Sequence, residues 1–316
     1  VPIASAHFAP DTRMMGEAGK KLLQRLVDDQ VKVCVPSTLD PCSVDFGRAA
    51  EFIAEFGMSE AFVEQDRSVY RLCSAMGFLP TYSCINYQTV SSPQFGQHVA
   101  WGDTGAAISA NSIFGARTNF DGGPSALASA ITGYTPAYGF HLDNNRRGNL
   151  LIKIDCQPTE IADWGAIARW AGQIATGYET VPVFHGDFAP PDQNMLKQLG
   201  VALASYGSHA MFHVVGATPE APTLEAACGG TIPDDEHVIA RHDLDVMFED
   251  AAFGQASVDL VVFAAPQLSV DEIALIATRM NGRRVHDNTR MILAIDPQVK
   301  AEADKSGLST TFNQLG

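Results

Sequence analysis

The sequence predicts an α/β protein in which parallel sheets are flanked by helices, and three observations predict it. Helical and extended patterns alternate along the first half of the chain. The second half holds clear strand-like runs, with helical stretches between several of them. The composition, 46% hydrophobic and 18% charged over 316 residues, supplies ample material for a core.

Taken in order, 3–8 reads as a strand end, and 16–29 (GEAGKKLLQRLVDD) spaces its apolar residues as one face of a helix. The alternating run 31–35 follows as a strand. Residues 43–56 and 59–76 are two further helices, the first opened by Ser43 and Asp45 and both stopped by glycines, Gly57 and Gly77. Residues 79–85 are extended. The later strands are 150–155, 181–185, 209–215, 259–265 and 290–295, with helices at 163–172 and 270–281. The pattern changes around 144–148. A boundary near 149 is expected to divide a first α/β subdomain, 1–149, which holds the candidate substrate-binding residues, from a second, 150–316.

Charge narrows the partners. With 21 basic and 36 acidic residues the formal net charge is −15, and no basic stripe is available to displace counterions from phosphates, so nucleic acid is not an expected partner. The longest apolar run, 258–266, is interrupted by Asp259 and is far too short to span a bilayer. No signal peptide is evident. The six cysteines form no CxxC pair and have irregular gaps, which points to reduced thiols in the cytoplasm; Cys34 and Cys73 read as small core residues.

The densest chemistry lies in 111–147 (NSIFGARTNFDGGPSALASAITGYTPAYGFHLDNNRR). Arg117, read as unpaired, can grip a carboxylate through two parallel hydrogen bonds; the competing reading is an ion pair with Asp121 or Asp143. Gly122, Gly123, Pro124 and Ser125 form a turn that feeds a helix N-terminus, where free N–H groups and the helix dipole favour an anion. The turn matches neither a dinucleotide nor a P-loop pattern. The run therefore reads as the wall of a site for a small anionic ligand. Three further segments lie at strand ends. His7, in Ser5-Ala6-His7, titrates near neutrality and could move a proton or bind substrate, or could be a satisfied structural histidine. Thr38-Leu39-Asp40-Pro41 lies at a carboxyl end, where open α/β sheets bind ligands, or is a capped turn. Cys84, among hydroxyls and aromatics, suits a thiolate nucleophile or a metal ligand.

Seven motifs in this order resemble the large domain of the aconitase X family: SAH at 5–7, GEAG at 16–19, VPSTLDP at 35–41, FGQHVAWGD at 95–103, NSIFGARTN at 111–119, DGGPSALASAITG at 121–133 and HLDNNRR at 141–147. The likeness is strong to about residue 150 and continuous to the end. It implies an aconitase-superfamily large domain and an iron–sulfur-dependent dehydratase of a small hydroxy acid. One-chain members of the family dehydrate cis-3-hydroxy-L-proline to a pyrroline carboxylate, and two-subunit members dehydrate mevalonate 5-phosphate. The first reaction is the preferred expectation. Carried over by position, Cys84 becomes an iron–sulfur cluster ligand, and Asn111, Ser112, Arg117, Asn119, Ser125, Ser5 and His7 line the pocket. The proton-moving group is then a serine, Ser5 or Ser125, or His7.

The chain also departs from the family pattern. Where the family has Gly-Cys-Pro-His, this sequence reads Ala264-Ala265-Pro266-Gln267, so Ala265 stands where a second cluster cysteine is expected. The family's N-terminal helix, a C-terminal segment with a further cysteine, and the small swivelling domain or subunit have no counterpart here. Three readings follow: a fragment, a member that holds its cluster differently, or a hydroxy-acid-binding relative without one.

Overall fold

The computed structural model describes residues 1–251 and 257–315. The first part of the chain forms β1 (Ala6–Phe8), α1 (Thr12–Asp28), β2 (Ser37–Leu39), α2 (Ala49–Phe56), α3 (Glu60–Ala75), α4 (Asn86–Thr89), β3 (Ala100–Trp101), α5 (Thr104–Ser112) and α6 (Gly123–Thr132). The middle forms β4 (Leu150–Asp155), α7 (Ile161–Ile174), β5 (Pro182–Gly186), α8 (Gln193–Gly207), β6 (His213–Val214), α9 (Leu224–Ala227), β7 (Glu236–Ala240) and α10 (Arg241–Ala251). The last part forms β8 (Leu260–Phe263), α11 (Val270–Met280), β9 (Arg290–Leu293), α12 (Pro297–Ser306) and α13 (Leu308–Leu315).

The elements belong to two compact units. The first comprises Val1–Cys84, His98–Asp103 and Phe120–Pro136; the second comprises Ile85–Gln97, Thr104–Asn119 and Ala137–Gly316. In the first unit a three-stranded sheet, ordered β2-β1-β3, is parallel throughout, with His7 in register with Thr38 on one side and Trp101 on the other. Phe8 and Leu39 from the sheet are fully buried with Leu23 of α1, Val69 and Cys73 of α3, and Ala126 and Ala130 of α6. In the second unit a four-stranded parallel sheet is ordered β6-β5-β4-β7, and a separate parallel pair is formed by β8 and β9. The predicted fold class is the observed one: parallel sheets flanked by helices.

Several boundaries differ from the sequence reading, each for a physical reason. Residues 31–35 join no ladder, and the backbone bends at Cys34 and Val35. Val33 donates to the carbonyl of Met76 (3.0 Å) and Cys34 to that of Ala130 (2.9 Å), so backbone groups at helices take the place of a neighbouring strand. The alternation of valines is real, because Val31, Val33 and Val35 pack on the core, while Cys34 is exposed rather than a core residue. The helix read from residue 43 begins only at Ala49. Asp45 instead closes a turn, its carboxylate accepting from the Gly47 N–H (2.8 Å), and the Ser43 N–H is held by Asp66 (2.9 Å). The strand read over 209–215 pairs only at His213–Val214, because the polar groups of Ala210 and Phe212 are bonded to side chains of α5. The strand read over 259–265 stops at Phe263, since Ala265 is left-handed (φ 52°).

Candidate active site

In the first unit, the carboxyl edge of the sheet gathers the chemistry. Asp40 follows β2, Gly102 and Asp103 follow β3, and α6 begins beside the end of β1. A Cβ on Gly123 would stand 3.4 Å from the carbonyl of Ala9, so the glycine lets α6 start this close to the strand. Gly122 (φ 30°) precedes the helix with no side-chain cap, and Pro124 occupies its first turn. Ser125, exposed, donates to Asp121 (3.2 Å), whose carboxylate is buried. Parallel sheets bind ligands at this edge, and the uncapped start of α6 adds peptide N–H groups there.

Behind the edge lies a buried polar chain. His7 has no exposed surface; its Nδ1 is 2.7 Å from Thr38 Oγ1 and its Nε2 is 3.3 Å from Asp40 Oδ1. Thr38 Oγ1 in turn lies 3.5 Å from the Ala6 carbonyl. Burial lowers the His7 pKa to about 4, although Asp103 pulls it the other way, so the imidazole is neutral. Burial, reinforced by Asp11, raises the Asp40 pKa to about 8. At neutral pH Asp40 is therefore a carboxylic acid. Its O–H donates to Nε2, Nδ1–H donates to Thr38, and the threonine hydroxyl is left to the Ala6 carbonyl. The Asp40 side chain is 19% exposed, so it is the end of this chain that reaches outward. Tyr70 braces it from α3 by donating to the carbonyls of Asp40 (3.2 Å) and Pro41 (2.6 Å).

The second unit holds the other predicted residues. Asn111 on α5 uses both ends of its amide: it donates to the carbonyls of Thr118 (2.9 Å) and Ala210 (3.0 Å) and accepts from the Thr118 N–H (3.0 Å) and Arg146 (3.2 Å). Ser112 accepts from the Phe212 N–H (2.9 Å). Asn119 accepts from the Phe140 N–H (2.9 Å) and the Tyr178 hydroxyl and donates to the Tyr138 carbonyl (3.3 Å). All three are buried and fix the backbone of the run 111–147. In this structure the bonds that these three side chains make hold the unit's own chain. The run mixes buried residues, among them Asn111, Ser112, Asn119 and Arg146, with exposed ones, among them Gly122, Ser125 and 142–145. Arg117 is not unpaired. It forms an ion pair with Asp143 and donates to the His141 carbonyl (3.1 Å), with 20% of its side chain exposed against 83% for Asp143.

Of the remaining predicted residues, His7, Gly122, Gly123 and Ser125 lie at or just behind the carboxyl edge, whereas Ser5 sits on the entry side of β1, where its hydroxyl accepts from Trp101 Nε1 (3.2 Å). Sequence reasoning did not single out Asp103, although it stands inside the quoted motif WGD, and it offered Asp121 only as an ion-pair partner for Arg117, whereas its carboxylate accepts from Ser125. It also missed Arg146, a buried cation bonded to Glu220, Asn111 and the Phe140 carbonyl (2.9 Å). Its only signal was the Arg-Arg pair that ends HLDNNRR.

The residues present do not fit an iron–sulfur cluster. Cys84 is a half-buried thiol in no disulfide, but Ala265 is an exposed methyl with no lone pair to offer iron. Among the described residues no group of three or more His, Cys, Asp or Glu side chains is placed to hold a metal ion. No described helix is long and apolar enough to cross a membrane.

Fold and edge together define a parallel α/β protein with acidic side chains and peptide N–H groups gathered at the carboxyl edge of a sheet. Family models match along almost the whole chain: aconitase X first domain over 1–144, second domain over 148–249 and third domain over 258–316. The chain belongs to the aconitase X family. It is 38% identical over 282 residues to the phosphomevalonate dehydratase large subunit of Methanothermobacter thermautotrophicus, covering 88% of this chain and 67% of that one. It is 33% identical over 304 residues to the cis-3-hydroxy-L-proline dehydratase of Pseudomonas aeruginosa, covering 95% of this chain and 51% of that one. It also superposes on the crystal structure of Thermococcus kodakaraensis aconitase X (holo-form) with a TM-score of 0.87 at 31% identity, over 100% of this chain and 76% of that one.

Proposed function

We propose that this chain is the large catalytic part of a hydro-lyase that removes water from a small hydroxy acid, with cis-3-hydroxy-L-proline as substrate and a pyrroline-2-carboxylate as product. The observation that carries this reading is similarity along nearly the whole chain to relatives named as dehydratases, including two cis-3-hydroxy-L-proline dehydratases. In the first unit, the Gly122–Gly123 turn, Ser125 and the start of α6 bind the substrate's negative end, and His7 and its bonded partners manage a proton. Ser5 is the weaker catalytic candidate, because its hydroxyl is already engaged by Trp101. Within the second unit, Arg117 is the residue proposed to bind an anion, which requires its pair with the exposed Asp143 to open.

A second substrate, mevalonate 5-phosphate, is favoured by the 38% identity to an archaeal large subunit. That relative's name, a large subunit, also supports a small subunit as partner. Six cysteines, none in a disulfide, support a reducing, cytoplasmic setting. The resemblance implies an iron–sulfur cluster, but the residues described do not fit one, and no step is assigned to it. The deciding experiment is an anaerobic assay of the full-length protein against both hydroxy acids, with iron quantified in the same sample. Release of a pyrroline carboxylate supports the first substrate, and turnover of mevalonate 5-phosphate alone reverses the choice. Binding without turnover of either acid, with no iron, supports the cluster-less binder that Ala265 suggests.

A further inference from the structure

We propose that Asp40 is the catalytic acid of the first unit, donating its proton to the departing hydroxyl, and that His7 and Thr38 are positioning residues acting through it. The inference rests on the dehydratase reading and deepens it. Its basis is geometric. His7 has no surface with which to meet a ligand, and both of its ring nitrogens are engaged, by Thr38 at 2.7 Å and by Asp40 at 3.3 Å. Asp40 is the most exposed side chain of the three, and it stands at the carboxyl end of β2. Its environment keeps it neutral. Of the titratable groups around it, His7 from β1 is bonded to it, Asp11 from the start of α1 acts on its charge and Tyr70 from α3 donates to its carbonyl, while Cys42 and Asp66 act on Tyr70 and Asp103 after β3 acts on His7. Every one of these is neutral or acidic, so none stabilises an Asp40 carboxylate. Tyr70 and Cys42 themselves have pKa values raised first by burial, and so stay neutral.

The proton balance is complete without a redox partner. The Asp40 O–H bond breaks and its proton goes to the hydroxyl oxygen. The C–O bond breaks, and its electron pair leaves on that oxygen as water. The electron pair of the neighbouring C–H bond becomes the new double bond, and that proton passes to solvent. Solvent returns one proton to Asp40, closing the cycle.

The test uses the full-length protein, cis-3-hydroxy-L-proline and mevalonate 5-phosphate, and three variants. In the wild type kcat should fall about tenfold per pH unit above roughly pH 8, where the acid is lost. Asp40→Asn keeps a hydrogen-bond donor for His7 but cannot release a proton; its kcat should fall about 10²–10⁴-fold, with KM nearly unchanged. Asp40→Glu should recover part of that loss. His7→Gln should displace the alkaline limb, which a merely structural role would leave in place. Near-normal kcat in Asp40→Asn, or an unchanged limb in both Asp40→Glu and His7→Gln, overturns the proposal. A wild type silent on both acids defeats the dehydratase reading instead. In that case the wild-type-minus-Asp40→Asn infrared difference spectrum, which needs no substrate, still decides the Asp40 assignment. A protonated-carboxyl band at pH 7 that vanishes above about pH 8 supports it, and absence of the band at pH 7 overturns it.

Discussion

Asp40 and His7 meet the same burial with opposite consequences, because ionisation charges the aspartate as pH rises and the histidine as pH falls. Asp40 titrates at about 8 in the fold against 3.8 ordinarily, so the folded chain holds a proton that the unfolded chain has released. Its contribution to stability is full below about pH 4 and is lost as pH rises through 8. His7, lowered from 6.5 to about 4, contributes fully above 6.5 and loses that contribution as pH falls towards 4. Asparagine at position 40 stays neutral throughout. Asp40→Asn is therefore expected to be more stable than wild type at pH 9, by roughly 1–3 kcal/mol, and to lose that advantage at pH 4. Thermal unfolding at the two pH values checks this, and an equal shift at both would refute it. Asn119 makes a different point. Truncation to alanine strands the Phe140 N–H, the Tyr178 hydroxyl and the Tyr138 carbonyl, and should cost about 2–4 kcal/mol in denaturant unfolding. Its sequence context, rich in amides and glycines, reads equally as a pocket wall or as a folded loop's own scaffold. Residue type shows that hydrogen bonds are needed, but not with what.

At the scale of elements, what was legible was what local pattern controls. The helix α3, with Ser59 before it and Gly77 after it, and β4 over Leu150–Asp155 were readable from periodicity and punctuation alone. The short strands β2 and β6 were not, because their lengths are set by who competes for the backbone: α5 side chains occupy the groups beside β6. A second hidden device joins α8 to α11. Lys197 on α8 has no exposed side-chain surface, yet it donates to the Gln267 carbonyl (3.2 Å) and pairs with Glu272, which also accepts from the Ser269 N–H (2.8 Å) at the start of α11. Nothing in the sequence separates this lysine from a solvated one. Lys197→Met should cost about 3–5 kcal/mol, since it leaves Glu272 charged and half-satisfied. The double variant Lys197→Met with Glu272→Gln should recover a good part of that loss while keeping the α11 cap. A double variant no more stable than the single one in urea would show that packing, not charge, is what Lys197 provides.

Across the whole molecule, the sequence motifs carried the family, and the parallel α/β class followed from alternation, because both depend on order along the chain. The condition of the metal centre is a different kind of property, since it depends on single atoms being present together. A cluster needs several thiolates or comparable donors at once, and loss of one donor is not compensated by good conservation elsewhere. Cys84 supplies a thiol, whereas Ala265 supplies a methyl, and neither Ala264 nor Gln267 brings a thiolate to that turn. Gln267 is buried, with its carbonyl held by Lys197. Protein made from this chain and reconstituted anaerobically with iron and sulfide should therefore retain substoichiometric iron and lack a visible charge-transfer band. The control is an archaeal large subunit carried through the same procedure. One cluster's worth of iron per chain, stable to desalting, would show that donors other than Cys84 and residue 265 assemble the site. Failing that, any dehydratase activity of the protein is expected to draw its acid from side chains such as Asp40, and Asp40→Asn would then lower kcat about 10²–10⁴-fold without changing the iron content.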